Sequence, residues 1–261
     1  MIGRRPGPTQ PWASALVTGA SAGIGAAFAR RLGAAGVPTV VVARRAERLA
    51  ALAEEHPSLE PLVADLAEPE GVGAVAARLA DSARPVELLV NNAGFGAAGR
   101  FAEQDPARHG ELVAVNVAAL TGLTRAALPA MLAAGRGWIL QVSSVAGFQP
   151  APGAAVYGAS KAYVTSLAEA LSVELAGTGV RISALCPGFT RTEFHQVSGA
   201  GWGARLPGRL WMDADAVAAA GLRAAAAGRV IESPGAVYKV LAAGSSVLPR
   251  PLLRALLRIR R

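Results

Sequence analysis

The sequence predicts an α/β protein, a single doubly wound parallel sheet with helices on both faces, and three observations point there. Apolar runs of strand length recur along the chain. Helical stretches of Ala, Leu and Arg separate them. The composition is rich in Ala, Gly, Val and Leu but only 5% aromatic, which suits short buried strands packed closely against helices.

Strands buried on both faces read as continuous apolar runs rather than as alternating ones. Such runs fall at Ala15 to Thr18, Thr39 to Ala43, Leu59 to Ala64, Glu87 to Val90, Trp138 to Val142 and Arg181 to Leu185. Helical patterns lie between them at about Ile24 to Ala35, Glu47 to Glu55, Pro69 to Ser82, Pro106 to Ala134 and Ala154 to Gly177. Strands joined by right-handed helical crossovers give the doubly wound arrangement. The rhythm breaks between Thr192 and Leu210, where Gly199, Gly201, Gly203, Pro207 and Gly208 surround Trp202 and precede Trp211. That segment is expected to be a lid or a plain surface insertion.

A chain of 261 residues is large enough to bury a core as one domain. The expected boundaries are an amino-terminal extension over 1–12, a catalytic domain over 13–248 with its lid at about 192–210, and a tail over 249–261. Cys186 is the only cysteine, and His56, His109 and His195 are scattered. These residues offer no internal disulfide and no metal site, and a reducing cytoplasm fits them. No uninterrupted apolar run approaches the ~20 residues of a membrane span, and the first residues lack the apolar stretch of a signal peptide. The net charge of +8 rests almost wholly on dispersed arginines, which implies weak anion affinity and gives no support for nucleic-acid binding.

TGASAGIG, Thr18 to Gly25, follows the first strand and opens the first helix. That context is what a dinucleotide phosphate site requires. Gly19 permits a tight turn, Gly23 lets the backbone approach a pyrophosphate, and Gly25 lets the helix pack on the strand. Ser21 and Ile24 are further candidate contacts of this loop. The second strand ends in VVARRAER. Arg44 and Arg45 stand near where an NAD site carries an acid for the ribose 2′-hydroxyl. Guanidinium groups match a 2′-phosphate instead, so NADP(H) is the expected cofactor.

Tyr157 and Lys161 in YGASK are four apart on a helical stretch and so share one face. Ser144 closes the strand WILQVSS, thirteen residues before the tyrosine. A phenol with an ordinary pKa of ~10 is a poor base, and a nearby ammonium together with the positive charge of oxidised nicotinamide is expected to favour the phenolate. Lys161 is one of two lysines among 26 basic residues, which suits a position that wants a compact charge. Ser144 would hydrogen-bond a substrate oxygen where charge develops, and Ser143 would point the other way. A serine-hydrolase reading fails, because there is no G-x-S-x-G elbow and no histidine or acid to relay with Ser144.

Taken together, TGASAGIG, NNAG (Asn91 to Gly94), Asn116 in VNVAA, Ser144, YGASK and PGFTRT (Pro187 to Thr192) resemble the short-chain dehydrogenase/reductase family in its NADP(H)-preferring branch. The resemblance spans roughly two-thirds of the chain and implies a Rossmann-like nucleotide-binding fold. It implies a catalytic tetrad: Asn116 holds a water that links Lys161 to solvent, Ser144 orients the carbonyl, Tyr157 exchanges the proton, and Lys161 also binds the nicotinamide ribose. It further implies that Asp65 and Leu66 border the adenine and that Asn92, Ala93 and Gly94 line the cofactor. Pro187, Gly188, Thr190 and Thr192 would hold the nicotinamide end. Phe194, Trp202 and Trp211 would then wall the substrate pocket, and their apolar character suggests a lipophilic ketone or aldehyde.

The expected function is therefore interconversion of a small-molecule carbonyl and its alcohol. The alternative is a catalytically silent dinucleotide-binding regulatory or scaffold protein. The resemblance favours a homodimer or homotetramer built through the helices at Pro106 to Ala134 and Ala154 to Gly177. In the tail, Leu252, Leu253, Leu256, Leu257 and Ile259 alternate with Arg254, Arg258 and Arg260 at helical spacing. That pattern fits peripheral membrane contact, or docking on the core or a partner subunit.

Overall fold

The structure is a computed structural model, and it describes residues 10–194, 207–247, 251 and 253–255. The elements follow one another as β1 (Ala15–Thr18), α1 (Gly23–Ala34), β2 (Thr39–Ala43), α2 (Ala46–Glu55), β3 (Leu59–Val63), α3 (Pro69–Leu79) and β4 (Leu88–Asn91). Then come α4 (Pro106–Val113), a π-helical segment (Ala114–Ala119), α5 (Leu120–Ala133), β5 (Gly137–Val142), α6 (Ala155–Glu174) and β6 (Val180–Leu185). The last elements are α7 (Ala214–Ala227), β7 (Ile231–Glu232) and α8 (Ala236–Val247).

The seven strands form one parallel sheet in the order β3-β2-β1-β4-β5-β6-β7. Strands β1, β2, β4 and β5 are buried along their whole length, which is why they could be read as unbroken apolar runs. One face of the sheet meets α1, α2 and α7 through Phe28, Leu32, Leu49, Leu140, Leu185 and Leu222. The other meets α3, α5 and α6 through Val75, Leu89, Leu123, Met131, Ile139 and Ala168. Trp12, at the end of the segment read as an extension, packs edge-on against Trp138 at 5.9 Å and belongs to the first core.

The helix expected over Pro106 to Ala134 runs continuously from Pro106 to Ala133 but widens in its middle. Six residues, Ala114–Ala119, are π-helical, and the cause lies in Asn116. Its Nδ2 donates to the Phe95 carbonyl at 3.0 Å and its Oδ1 accepts from the Phe95 amide at 3.1 Å. Holding that amide against the loop after β4 requires a wider turn, and such π segments collect at functional sites. By length and hydropathy alone, Pro106–Ala133 is the one helical run among the described residues that matches a membrane span. Its apolar side chains Leu112, Leu123, Ala127 and Met131 are buried against the protein.

Three elements after Leu185 were not anticipated. Helix α7 nevertheless carries clear boundary signals: the Asp213 side chain accepts from the Asp215 and Ala216 amides, and Gly228 ends the helix at φ +68°. These are an ordinary N-cap and a left-handed C-terminal glycine. Residues 195–206 of the expected lid, including Trp202, lie outside the described residues. So do 249, 250, 252 and 256–261 of the tail. Of the tail leucines, Leu253 is described, and it is buried.

Candidate active site

The strand order reverses between β1 and β4, and in doubly wound sheets a crevice opens at the carboxyl ends of the strands at such a point. Here the crevice is a cleft of about 580 Å³. Gly19, Ser21, Gly23, Ile24, Arg44, Arg45, Asp65, Leu66, Asn92, Ala93 and Gly94 line one end, and Ser144, Tyr157, Lys161, Pro187, Gly188, Thr190, Thr192 and Phe194 the other. Of the candidate cofactor and catalytic residues, all reach the cleft except Gly25 and Asn116, which stand behind it.

Gly19 and Gly23 have positive φ, +67° and +55°, a conformation that glycine adopts without penalty. Gly25 answers to a different need: a Cβ there would lie 2.1 Å from the Gly19 carbonyl oxygen. The loop is pinned from the side by Asn92, whose Nδ2 donates to the Thr18 carbonyl at 2.9 Å. The buried Thr18 hydroxyl accepts from the amides of Asn92 and Ala93, both at 3.0 Å. Helix α1 starts with no side-chain cap and no acid in its first turn. Its first amides and the positive end of its dipole thus face the cleft uncompensated by protein, an arrangement that fits a pyrophosphate. Gly25→Ala is expected to destabilise the fold by about 1–3 kcal/mol and to abolish nucleotide binding, as thermal unfolding and calorimetric titration would report.

The arginines after β2 reach the same end of the cleft. Arg44 stands 3.5 Å from Asp65 and 3.7 Å from Glu111. Arg45 donates through Nε and a terminal nitrogen to Ser21 Oγ at 3.1 and 3.0 Å. Two residues that sequence reasoning passed over join them: Arg48, one turn into α2, and Glu193. Arg48 could have been found as the third basic residue of ARRAER; nothing local marked Glu193.

At the far end, Ser144 caps a short 3₁₀ turn (Val145–Gly147), its Oγ accepting from the Ala146 amide at 3.1 Å, and it stands near enough to Tyr157 to act on its pKa. Ser143 points the other way, as its place on the strand predicts. It donates to the Lys161 carbonyl at 2.8 Å and pairs with Thr165 at 2.8 Å, which ties α6 to β5. Lys161, one turn beyond Tyr157, is buried and donates to the Val142 carbonyl at 2.8 Å. Asn116 completes the group through Ser160, to whose Oγ its Nδ2 donates at 3.1 Å. Gly94 lies between them: a Cβ there would sit 2.9 Å from Asn116 Oδ1 and 3.4 Å from Lys161 Nζ.

The electrostatics correct one expectation. Lys161 Nζ is 5.8 Å from the Tyr157 ring centre, and the phenolate is not favoured. Loss of solvent around Tyr157 pushes its pKa up to about 12, against which the Ser144 hydroxyl acts in the lowering direction. Burial also pulls Lys161 down to about 8. Desolvation outweighs the attraction because both groups would have to hold charge beneath the surface.

The segment Pro187 to Thr192 is held from behind by Tyr238 of α8. A Cβ on Gly188 would fall 2.1 Å from that ring, and the Tyr238 hydroxyl accepts from the Phe189 amide and donates to the Leu210 carbonyl. Phe194 packs on Tyr157 at 5.4 Å. Trp211, expected as a pocket wall, packs instead on Phe189 at 5.7 Å; Phe189 lines the cleft, so Trp211 backs the wall rather than forming it.

A family model for short chain dehydrogenases matches residues 13–201. Sulfoacetaldehyde reductase 2 of Chromohalobacter salexigens is 40% identical over 187 residues, which cover 70% of this chain and 74% of that protein. Among solved structures, a short-chain dehydrogenase from Sphingobium yanoikuyae in complex with NADPH superimposes with a TM-score of 0.80 at 34% identity, covering 91% of this chain and 96% of that one. A bulky-bulky ketone specific alcohol dehydrogenase from Comamonas testosteroni reaches 0.75 at 30% identity over 91% and 95% of the two chains.

Proposed function

The chain belongs to the short-chain dehydrogenase family, an oxidoreductase acting on alcohols and carbonyls with NADP(H), and from that premise we propose that it reduces an apolar ketone or aldehyde, with Tyr157 as the proton donor. One observation carries the reading. Tyr157, beside Ser144 and one turn from Lys161, lines the cleft together with the apolar residues Phe95, Ala97, Val145, Pro150, Phe189 and Phe194. A catalytically silent scaffold would have no need of that convergence.

Bound NADPH supplies the hydride. Gly19, Gly23 and the first amides of α1 would hold its pyrophosphate, Arg44 and Arg45 the 2′-phosphate, Asp65 and Leu66 the adenine side, and Pro187 to Thr192 the nicotinamide end. Ser144 donates to the substrate oxygen and stabilises the charge that grows there. Tyr157, protonated across the neutral range because its pKa lies near 12, gives that oxygen its proton. Lys161 places positive charge beneath the tyrosine and fixes the Val142 end of β5. Asn116 is a positioning residue: its amide fastens α6, through Ser160, to the loop after β4.

The substrate class follows from charge. Among the described cleft residues the cations are Arg44, Arg45 and Lys161, and the first two stand at the nucleotide end. The apolar wall therefore suits a neutral carbonyl better than a sulfonate. A panel of neutral and anionic ketones and aldehydes, assayed with NADPH and NADH, is the test. Turnover of neutral apolar members with NADPH is expected, and Arg44→Ala/Arg45→Ala should lower the preference for NADPH over NADH by about 10- to 100-fold. A wild-type preference for NADH, or for anionic carbonyls alone, would contradict the proposal.

A further inference from the structure

Arg45, one of the two arginines assigned to the 2′-phosphate, and Arg48 beside it are already engaged by a carboxylate of this chain. Glu193 Oε1 accepts from Arg48 at 2.7 Å, and its Oε2 accepts from Arg48 at 3.0 Å and from Arg45 at 3.1 Å. Arg45 also grips Ser21 Oγ, and Arg48 reaches the Ser21 carbonyl at 3.4 Å, so the carboxylate sits against the glycine loop. The two guanidinium groups hold the Glu193 carboxyl below the usual carboxylate range.

The neighbours of Glu193 are in the site as well. A Cβ on Gly23 would meet the Thr192 methyl at 2.9 Å, and Phe194 packs on the Tyr157 ring. One short segment thus touches the phosphate loop with one residue, the proposed 2′-phosphate arginines with the next, and the proposed proton donor with the third.

We propose that Glu193 is an internal competitor for the 2′-phosphate of NADP(H), and that cofactor binding transfers Arg45 and Arg48 from Glu193 to the phosphate and frees the Thr192 to Phe194 segment. The pairs of Glu193 with Arg45 and Arg48 are a little under half exposed on both partners, so solvent and salt weaken them. A phosphate dianion brings more charge and more acceptor oxygens to the same guanidinium forks and displaces the carboxylate. A 2′-hydroxyl carries no charge and leaves the clasp closed. Glu193 therefore tempers the hold on NADP(H) without touching NAD(H), and it reports 2′-phosphate occupancy to the residue packed on Tyr157. This inference rests on the placement of the 2′-phosphate at Arg45.

Adenosine 2′,5′-bisphosphate and ADP isolate the 2′-phosphate from the nicotinamide. By calorimetry, Glu193→Gln is expected to bind the bisphosphate about tenfold more tightly and ADP as the wild type does. Hydrogen exchange adds a readout independent of turnover: in the wild type the bisphosphate, but not ADP, should accelerate amide exchange over residues 191–194. If Glu193→Gln leaves bisphosphate affinity unchanged or lowers it while Arg45→Ala weakens binding, the competitor is refuted and the phosphate placement survives. If Arg45→Ala has no effect either, both fall.

Discussion

Tyr157→Phe is expected to lower carbonyl reduction by NADPH about 10³-fold or more, with NADPH affinity within about threefold of the wild type. The ring keeps its packing on Phe194 and only the hydroxyl is lost, so the loss should appear in kcat and not in cofactor binding. The direction of the pH dependence follows from burial. With its pKa raised to about 12, the phenol is protonated between pH 6 and 8, so Tyr157 should impose no pH dependence on reduction there. Oxidation of the corresponding alcohol needs the phenolate and should climb with pH. Profiles of kcat/KM in both directions, for wild type and variant, check this. A variant that keeps full turnover, or reduction that itself rises with pH, would contradict the assigned role.

Lys161→Met should make the cofactor-free protein more stable at neutral pH while removing at least about 10²-fold of its activity. Burial lowers the ammonium pKa from 10.5 to about 8. At about 1.4 kcal/mol per pH unit, keeping that lysine charged below pH 8 costs about 3 kcal/mol. Methionine removes the charge, but it leaves the Val142 carbonyl without its 2.8 Å partner, a loss of about 1–2 kcal/mol. The net gain at pH 7 is about 1–2 kcal/mol. The sign reverses the usual pattern. Between the folded value near 8 and the ordinary 10.5, the unfolded chain binds more protons than the folded one, so wild-type stability rises with pH through that window. The advantage of the variant should therefore shrink from pH 7 to pH 10. Urea unfolding at the two pH values measures it, and a variant less stable than wild type at pH 7 would show that the lysine is not buried at such cost.

Both predictions concern residues that could be named before any coordinates, and the reason is local. Tyr157 and Lys161 are one helical turn apart, and Gly19, Gly23 and Gly25 fall within seven residues where β1 turns into α1. Geometry of that range is written in the spacing of the chain. The central strands were legible for a similar reason: burial on both faces leaves β1, β2, β4 and β5 without charge and mostly apolar, each with a single polar side chain, Thr18, Thr39, Asn91 or Gln141. The carboxyl-terminal third was harder. β7 has two residues, too few for any periodicity, and α8 matters because Tyr238 fills the space beside Gly188, a contact 50 residues away in sequence.

What could not be read from spacing is what depends on distant groups sharing one volume. The same YGASK turn suggested a phenolate favoured by its lysine. In the protein without cofactor, packing opposes that charge, because desolvation of both groups is a property of everything that surrounds them. Helical patterning suggested one long helix from Pro106, and the run is continuous, but the Phe95 backbone, 21 residues before Asn116, draws that side chain in and opens a π turn within it. Glu193 carried no signal at all, since its partners Arg45 and Arg48 stand 148 and 145 residues earlier. The chain alone thus settles its α/β architecture, and it nominates a phosphate loop and a set of reactive side chains, all read from short-range periodicity and from residue chemistry. Their burial, and the carboxylate that pairs with Arg45 and Arg48, come only with the folded structure, because desolvation and ion pairing depend on neighbours that sequence order does not specify.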